Sequence, residues 1–185
     1  FGAGEIAQNF HQSSALKITK KPDGSNVTNA DIEISKFLNS KLSLEFPEIA
    51  IICEEGNLRE AGDIFWLIDP IDGTSSYING SSQYAVNIAL VKDEKVVFAL
   101  IYAPSFEGGK LVFSNHEDQV ILQEKSLQKS KLKFRETVRD DIRIVASARV
   151  KDADIEKYMK QYHADCHYSV EKLSSAVKFF RILEG

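Results

Sequence analysis

The chain has 185 residues, 43% of them apolar and 27% charged, which is the composition of a folded globular protein and not of a disordered segment. Its net charge of −4 argues against nucleic acid, DNA included, as the main partner. It contains no run of about 18 apolar residues, so the sequence predicts no membrane-spanning helix. The two cysteines, Cys53 and Cys166, are far apart and lack metal-binding spacing, which favours free thiols in a reducing cytoplasm.

A change of character near residue 140 predicts two domains, residues 1–140 and residues 141–185. The second is too short to bury a core by itself. The chain also starts at Phe1 and not at Met. From the sequence we therefore expect a piece of a longer protein, trimmed at its start and truncated within the second domain.

The chain opens with a helix pattern over residues 3–15, followed by the turn-rich segment KPDGSNVTNAD at 21–31. Within that segment, Thr28 and Asp31 have the spacing of a capping box, with Asp in place of the usual Glu. A second helix is therefore predicted to begin at this point.

Strand patterns dominate the middle of the chain. Apolar segments predict strands at residues 49–53, 64–68, 84–91, 95–103, 110–114 and 142–147. The third to fifth of these follow one another closely and predict an antiparallel meander, whereas residues 115–140 give only weak strand signals. Two later helix patterns cover residues 152–163 and 171–185. This mixture of elements predicts layered α and β structure.

The sequence WLIDPIDGT, residues 66–74, ends an apolar run with two aspartates. Asp69 falls at the carboxyl end of the predicted strand, where open α/β sheets place their ligands. Because Pro70 lacks an N–H group, we expect a turn here and no further strand, so that Asp69, Asp72 and the Ile71 carbonyl converge. Such an all-oxygen pocket suits a hard cation such as Mg²⁺.

Two other interpretations of this segment stay open. D-P-x-D-G is also an ordinary turn sequence. Phosphatases that form an aspartyl-phosphate place D-x-D-G-T after an apolar strand, with the first Asp as nucleophile, but the D-x-x-D spacing here is one residue longer.

Acidic residues occur at two comparable positions. Asp31 lies in the first turn of a predicted helix, and Glu54 and Glu55 follow the strand that ends at Cys53. Each position alone is typical of a cap or a solvated loop. Carboxylates gathered at one edge repel one another unless cations neutralise them, and two metal ions are the usual solution in phosphoryl chemistry. Taken together, the acidic residues predict a metal-dependent phosphatase.

The residues after Asp72 complete this pattern. If SSYI begins a helix, the amides of Gly73 and Thr74 lie at its N-terminus, which is a ready anion site. Gly73 allows the backbone to approach a phosphate closely. The Thr74 hydroxyl can orient a water, with Asp31 accepting its hydrogen bond.

These residues resemble the inositol monophosphatase superfamily of Mg²⁺-dependent, lithium-sensitive phosphomonoesterases. KPDGSNVTNAD, the Glu-Glu pair after a strand and DPIDGT look like its three amino-terminal motifs, in the same order. YAVNIALV, LIYAPSFEGGKLVFS, the SAR at 147–149 and SSAVKFFRILEG resemble its 3′(2′),5′-bisphosphate nucleotidase branch, the CysQ type. The resemblance implies an α+β fold, the layered αβαβα sugar-phosphatase-like fold, with its carboxy-terminal part missing.

The resemblance also implies roles for individual residues. Glu54, Asp69 and the Ile71 carbonyl would hold one Mg²⁺, and Asp69 and Asp72 would hold a second. The catalytic residues it implies are Asp31, Thr74 and Glu54, with Asp31 and Thr74 activating the attacking water for direct in-line transfer. The substrate-binding residues it implies are Ile71, Asp72, Gly73, Thr74 and Ser175.

The sequence departs from the family pattern in two places. Ser174 stands where the family has a Gly beside the substrate. The family's last metal ligand, the Asp of a Trp-Asp-x-Ala motif, has no counterpart, because the only tryptophan is Trp66. We expect that the missing ligand lies beyond Gly185 in the parent protein, and that the chain by itself is weakly active or inactive.

The implied reaction is hydrolysis of the 3′-phosphate of adenosine 3′,5′-bisphosphate, giving AMP and phosphate. An inositol-1-phosphate or sugar phosphatase of the same superfamily is the alternative. A non-catalytic binding protein with this fold is a hypothesis of a different class. The partner in each enzymatic case is a small phosphorylated nucleotide or sugar, and the resemblance also implies a homodimer.

Overall fold

The computed structural model describes residues 1–56, 62–114, 120–124, 129–131, 141–174 and 176–184. Its helices are α1 (Gly2–Phe10), α2 (Asn29–Glu45), α3 (Thr74–Ile78), α4 (Asp152–Tyr162) and α5 (Val177–Glu184), with a 3₁₀ turn at Phe106–Gly108. Its strands are β1 (Ile18–Lys20), β2 (Asn26–Thr28), β3 (Ala50–Cys53), β4 (Ile64–Asp72), β5 (Ala85–Lys92), β6 (Lys95–Ala103), β7 (Lys110–Ser114), β8 (Val120–Glu124), β9 (Lys129–Lys131), β10 (Asp141–Ser147) and β11 (His167–Leu173).

A seven-stranded sheet in the order β3-β4-β5-β6-β7-β8-β9 forms the centre of the molecule. β3 and β4 are parallel, and every later neighbouring pair is antiparallel. The predicted meander is therefore confirmed, and it continues through β8 and β9, where the strand signals in the sequence are weak. β1 and β2 form a separate hairpin, and β10 and β11 pair in parallel as a second small sheet.

Two apolar clusters cover the two faces of the central sheet. One cluster packs α1 and α2 against β3 and β4, and the other packs α5 against β5, β6, β7 and β8. The neighbours Val86 and Ala85 belong to different clusters, because successive strand residues point to opposite faces. The predicted layered α+β architecture is confirmed. The division into domains at residue 140 stays a prediction, although the second cluster draws residues from both sides of that position.

Helix α2 begins as predicted. The Thr28 side chain accepts a bond from the Asp31 amide, and the Asp31 carboxylate accepts one from the Thr28 amide, which is the reciprocal pattern of a capping box. Ile34 and Leu38, one turn apart, bury the inward face of the helix. None of the described helices is long and apolar enough to cross a membrane.

Two helix predictions were wrong in extent. α1 ends at Phe10 and not at residue 15, because His11 is extended and Gln12 takes a left-handed φ of 58°. The helix predicted for 171–185 begins only at Val177. Residues up to Leu173 instead pair with β10 as strand β11, so hydrogen bonds to a distant segment outweigh the local helical pattern.

Candidate metal and phosphate site

The carboxyl ends of β3 and β4 lie side by side at the edge of the sheet. Cys53 is paired with Ile68 in the parallel register, so Glu54 and Asp69 are the next residues on neighbouring strands. The Glu54 amide also donates to the Ile68 carbonyl at 3.0 Å. The structure thus brings together two of the predicted metal ligands that are 15 positions apart in the sequence (69 − 54).

The predicted turn after Asp69 was wrong, because β4 continues through Pro70 to Asp72. The pairing with β5 is interrupted between these two aspartates and resumes at Asp72, opposite Ala85. Pro70 falls in this interruption, where a missing N–H group costs no ladder hydrogen bond. The turn was expected to let Asp69 and Asp72 converge. The irregularity in the strand has the same effect, because the two side chains then need not point to opposite faces of the sheet.

Asp69 lies close to the carboxylates of Glu54 and Asp72. Its Oδ1 atom is buried and has no hydrogen-bond partner. Burial, together with the nearby carboxylates of Glu54 and Asp72, raises the pKa of Asp69 to about 8. Buried polar atoms are normally paired, so an orphaned carboxylate oxygen beside two more carboxylates fits a divalent cation.

Gly73 and Thr74 turn the chain from β4 into helix α3. Gly73 is the N-cap of this helix and has a φ of 91°, a left-handed conformation that glycine adopts without strain. The Thr74 hydroxyl donates to the Ile71 carbonyl at 3.1 Å. This bond holds the Thr74 hydroxyl next to the carbonyl that is predicted to bind metal.

Asp31 is almost fully buried at the start of α2. Its Oδ2 atom accepts hydrogen bonds from the amide of Thr28 at 2.8 Å and from the hydroxyl of Thr28 at 2.5 Å. Burial raises the pKa of Asp31 to about 6, although the bonds from Thr28 oppose the shift. Among the described contacts, the Thr74 hydroxyl does not donate to Asp31 as the sequence had suggested.

Lys21 is a member of the site that sequence reasoning missed. Its ammonium lies 2.9 Å from Glu54 Oε1 and 2.6 Å from Glu55 Oε1. Burial alone would lower the pKa of Lys21, but hydrogen bonds to Glu55 and Glu54 raise it above its ordinary value. The sequence offered one signal for this contact. Lys21 begins the turn-rich segment, and the two adjacent glutamates after β3 would be stabilised by a cation.

The junction between β11 and α5 reaches the same site. The Ala176 amide donates to Asp72 Oδ2 at 2.7 Å. Ser174 is fixed on both sides, because its hydroxyl accepts from Ser76 at 2.6 Å and its amide donates to Gln83 at 2.8 Å. Sequence reasoning missed Gln83 and Ser76, which carry no recognisable motif. Ser175, predicted to bind substrate, lies outside the described residues.

Some of these groups line a cleft of about 740 Å³, whose walls are residues 23–26, Glu54, residues 72–76, residues 147–149 and Ser174. Three of the predicted site residues, Asp31, Asp69 and Ile71, do not line it. Asp31 and Ile71 are buried.

Within the described part of the chain, no three His, Cys, Asp or Glu side chains already form a group that could hold a metal ion. In this arrangement the Lys21 ammonium contacts Glu54, and the Ala176 amide donates to Asp72.

The chain belongs to the inositol monophosphatase family, whose model matches residues 1–185. Among curated relatives, the CysQ 3′(2′),5′-bisphosphate nucleotidase of Aggregatibacter actinomycetemcomitans is 40% identical over 107 residues, which are 55% of this chain and 39% of that protein. The CysQ of Escherichia coli K12 is 26% identical over 184 residues, 97% of this chain and 71% of that protein. The match to the first of these thus spans well under half of the relative.

Solved structures show the same fold. CysQ from Bacteroides thetaiotaomicron superposes with a TM-score of 0.77 at 22% identity, over 99% of this chain and 72% of that one. An IMPase/NADP phosphatase solved with Mg²⁺ and phosphate superposes with a TM-score of 0.67 at 16% identity, over 98% of this chain and 66% of that one.

Proposed function

We propose that this protein is a Mg²⁺-dependent phosphomonoesterase that hydrolyses adenosine 3′,5′-bisphosphate to AMP and inorganic phosphate. One water is consumed, and the bond between the 3′-phosphorus and the ribose oxygen is broken. The observation that carries the proposal is the buried, unpartnered Oδ1 of Asp69, set between Glu54 and Asp72 at the edge of the sheet. A buried carboxylate oxygen without a partner, close to two more carboxylates, is a position that a divalent cation would satisfy, and the family to which the chain belongs supplies the context.

Glu54, Asp69, Asp72 and the Ile71 carbonyl would hold Mg²⁺. Their oxygen-only chemistry fits this ion, and a relative of the same fold has been solved with Mg²⁺ and phosphate. When bound, Mg²⁺ would neutralise charge on the phosphoryl group and acidify a water molecule.

The positions of Asp31, Gly73 and Thr74 support the remaining proposed roles. Asp31 Oδ2 is taken by Thr28, which leaves Oδ1 to accept a proton from the attacking water. A pKa of about 6 keeps this carboxylate ionised at neutral pH while leaving it basic enough for proton transfer. The amides of Gly73 and Thr74 would bind the phosphate oxygens, and Thr74 is held in place by Ile71.

The names of the relatives support a nucleotide substrate, and the cleft is large enough to hold a small phosphorylated molecule. A volume of about 740 Å³ is in the range that holds a small-molecule ligand. Two curated relatives are 3′(2′),5′-bisphosphate nucleotidases. A homodimer and a cytoplasmic location stay predictions from the sequence.

The test is phosphate release by the full-length protein from adenosine 3′,5′-bisphosphate and from inositol 1-phosphate, with Mg²⁺ and with chelator. We expect Mg²⁺-dependent release, fastest from the bisphosphate, and a loss of roughly 100-fold or more in Asp69→Asn. Asp63→Asn, an exposed change at the other end of β4, is the matched control and should leave the rate unchanged.

Other outcomes would point elsewhere. Faster release from inositol 1-phosphate would move the substrate to the alternative class. A trappable phospho-enzyme lost in Asp69→Asn would replace direct attack by water with a covalent mechanism. No release from either substrate would favour the binding-protein hypothesis.

A further inference from the structure

We propose that Lys21 is an internal counter-ion that competes with the divalent cation for Glu54. In the metal-free protein its ammonium occupies Glu54, and metal binding displaces it onto Glu55 alone. This inference rests on the metal site proposed above.

The contact distances and exposures favour this exchange. Lys21 Nζ is 2.9 Å from Glu54 Oε1 and 2.6 Å from Glu55 Oε1, so one ammonium spans both carboxylates. The Glu55 side chain is 9% exposed, whereas the Glu54 side chain is 51% exposed. Glu55 is thus the nearer and better shielded partner of the ammonium, and Glu54 is the one that an incoming cation reaches.

The backbone of Lys21 is held in place by its turn. The Lys21 amide donates to the Ser25 carbonyl, and the Gly24 amide donates to the Lys21 carbonyl, each at 2.9 Å. Asp23 caps the same turn by accepting from the Ser25 amide at 2.9 Å. Because the turn anchors the lysine backbone near Glu54 and Glu55, an ammonium displaced from Glu54 would still reach Glu55.

Competition between the ammonium and the metal ion for Glu54 weakens the apparent affinity for the metal. Glu54 Oε1 cannot accept the ammonium and bind a cation in the same geometry, because two positive charges at that distance repel each other. Only molecules whose Glu54 has been released can bind metal, so the apparent dissociation constant exceeds the intrinsic one by the inverse of that released fraction. Removing the ammonium should therefore tighten metal binding.

The experiment is calorimetric titration of Mg²⁺ and Mn²⁺ into the full-length protein and its variants without substrate. We expect Lys21→Met to lower the dissociation constant by roughly three- to tenfold. Lys21→Arg keeps the cation and should bind metal as the wild type does. Lys20→Met removes a neighbouring exposed lysine that contacts only the Gly24 carbonyl at 3.2 Å among the described residues, and it should also leave the constant unchanged.

Thermal unfolding provides a second readout. In chelator, Lys21→Met should melt below the wild type, because Glu54 and Glu55 lose their cation, and saturating Mg²⁺ should narrow the difference. If Lys21→Met does not fold, Lys21→Gln replaces it as a neutral, polar variant. Weaker or unchanged metal binding in the neutral variant would overturn the inference. A wild-type protein that binds no divalent cation would instead overturn the proposed function.

Discussion

Gly73 makes the change of direction between β4 and α3 possible. Its φ of 91° is a conformation that costs a side chain about 1–2 kcal/mol, so any other residue here strains the backbone. The next residue, Thr74, depends on this geometry for its bond to the Ile71 carbonyl.

We expect Gly73→Ala to lower the free energy of unfolding by about 1–2 kcal/mol and the rate of phosphate release by roughly tenfold or more. Gly108→Ala is the matched control, because Gly108 has a φ of +84° and open space around its α-carbon, and it does not line the cleft. Urea denaturation should show similar losses in both variants. An equal loss of activity in Gly108→Ala would mean that activity follows stability and not the position of Thr74.

Asp31 caps helix α2 and, in the proposed mechanism, accepts a proton from the attacking water. One substitution separates these two roles. In Asp31→Asn, the amide oxygen of the new side chain could still accept hydrogen bonds from Thr28, but the side chain could not take a proton from water. We therefore expect Asp31→Asn to change the free energy of unfolding by less than about 1 kcal/mol while lowering kcat by about 100-fold or more. Thermal denaturation and phosphate release on the same sample check this. A collapse of stability would show that the cap depends on charge.

At the scale of elements, ion pairs fasten α5 to the rest of the molecule. Arg181 is within bonding distance of Glu107, Glu171 and Glu184. Hydrogen bonds from Arg181, with help from Lys110, lower the pKa of Glu107 to about 2 despite its partial burial. These side chains are partly exposed, so the stabilisation is smaller than the pKa alone would suggest.

The pH dependence of this network has a definite sign. A carboxyl whose pKa is lowered by folding stabilises the protein above its unfolded pKa of about 4.5, and this stabilisation is lost as the pH falls towards about 2. We expect Arg181→Met to be less stable than the wild type by about 1 kcal/mol at pH 7 and the two to converge near pH 2. Urea unfolding across this range measures it. A constant difference would assign the effect to lost apolar packing of the Arg181 stem.

At the scale of the whole molecule, the second apolar cluster attaches α5 to the central sheet. Phe180 is fully buried and stacks on Phe106 with ring centroids 6.2 Å apart, whereas the adjacent Phe179 is 51% exposed.

We expect Phe180→Ala to lower the free energy of unfolding by about 3–5 kcal/mol. Phe179→Ala, the matched control, should change it by less than about 1 kcal/mol. Urea denaturation followed by fluorescence of Trp66, in the cluster on the opposite face, is the measurement. An unchanged Trp66 transition in Phe180→Ala would mean that the two faces of the sheet unfold independently.

Local sequence signals predicted most of the strands, the cap of α2 and the positions of Glu54, Asp69 and Asp72. Each of these predictions needs only residues within a few positions of one another, or a continuous apolar segment. Contacts between distant segments could not be predicted in the same way. Pro70 argued for a turn, yet the register of β5 keeps Asp72 in the strand. Leu173 fitted a helical pattern, yet β10 draws it into a strand. The contacts of Lys21 with Glu54 and Glu55 likewise join segments that are distant in the sequence.

The bond from the Ala176 amide to Asp72 joins residues 104 positions apart, and the bond between Ser76 and Ser174 joins residues 98 apart. Closing such long loops has an entropic cost and slows folding, whereas β3 and β4 bring Glu54 and Asp69 together over a short span. The site is therefore completed in stages. During synthesis the strand pair can form early, but Asp72 is held in its final position only after the segment that begins helix α5 has been made and docked.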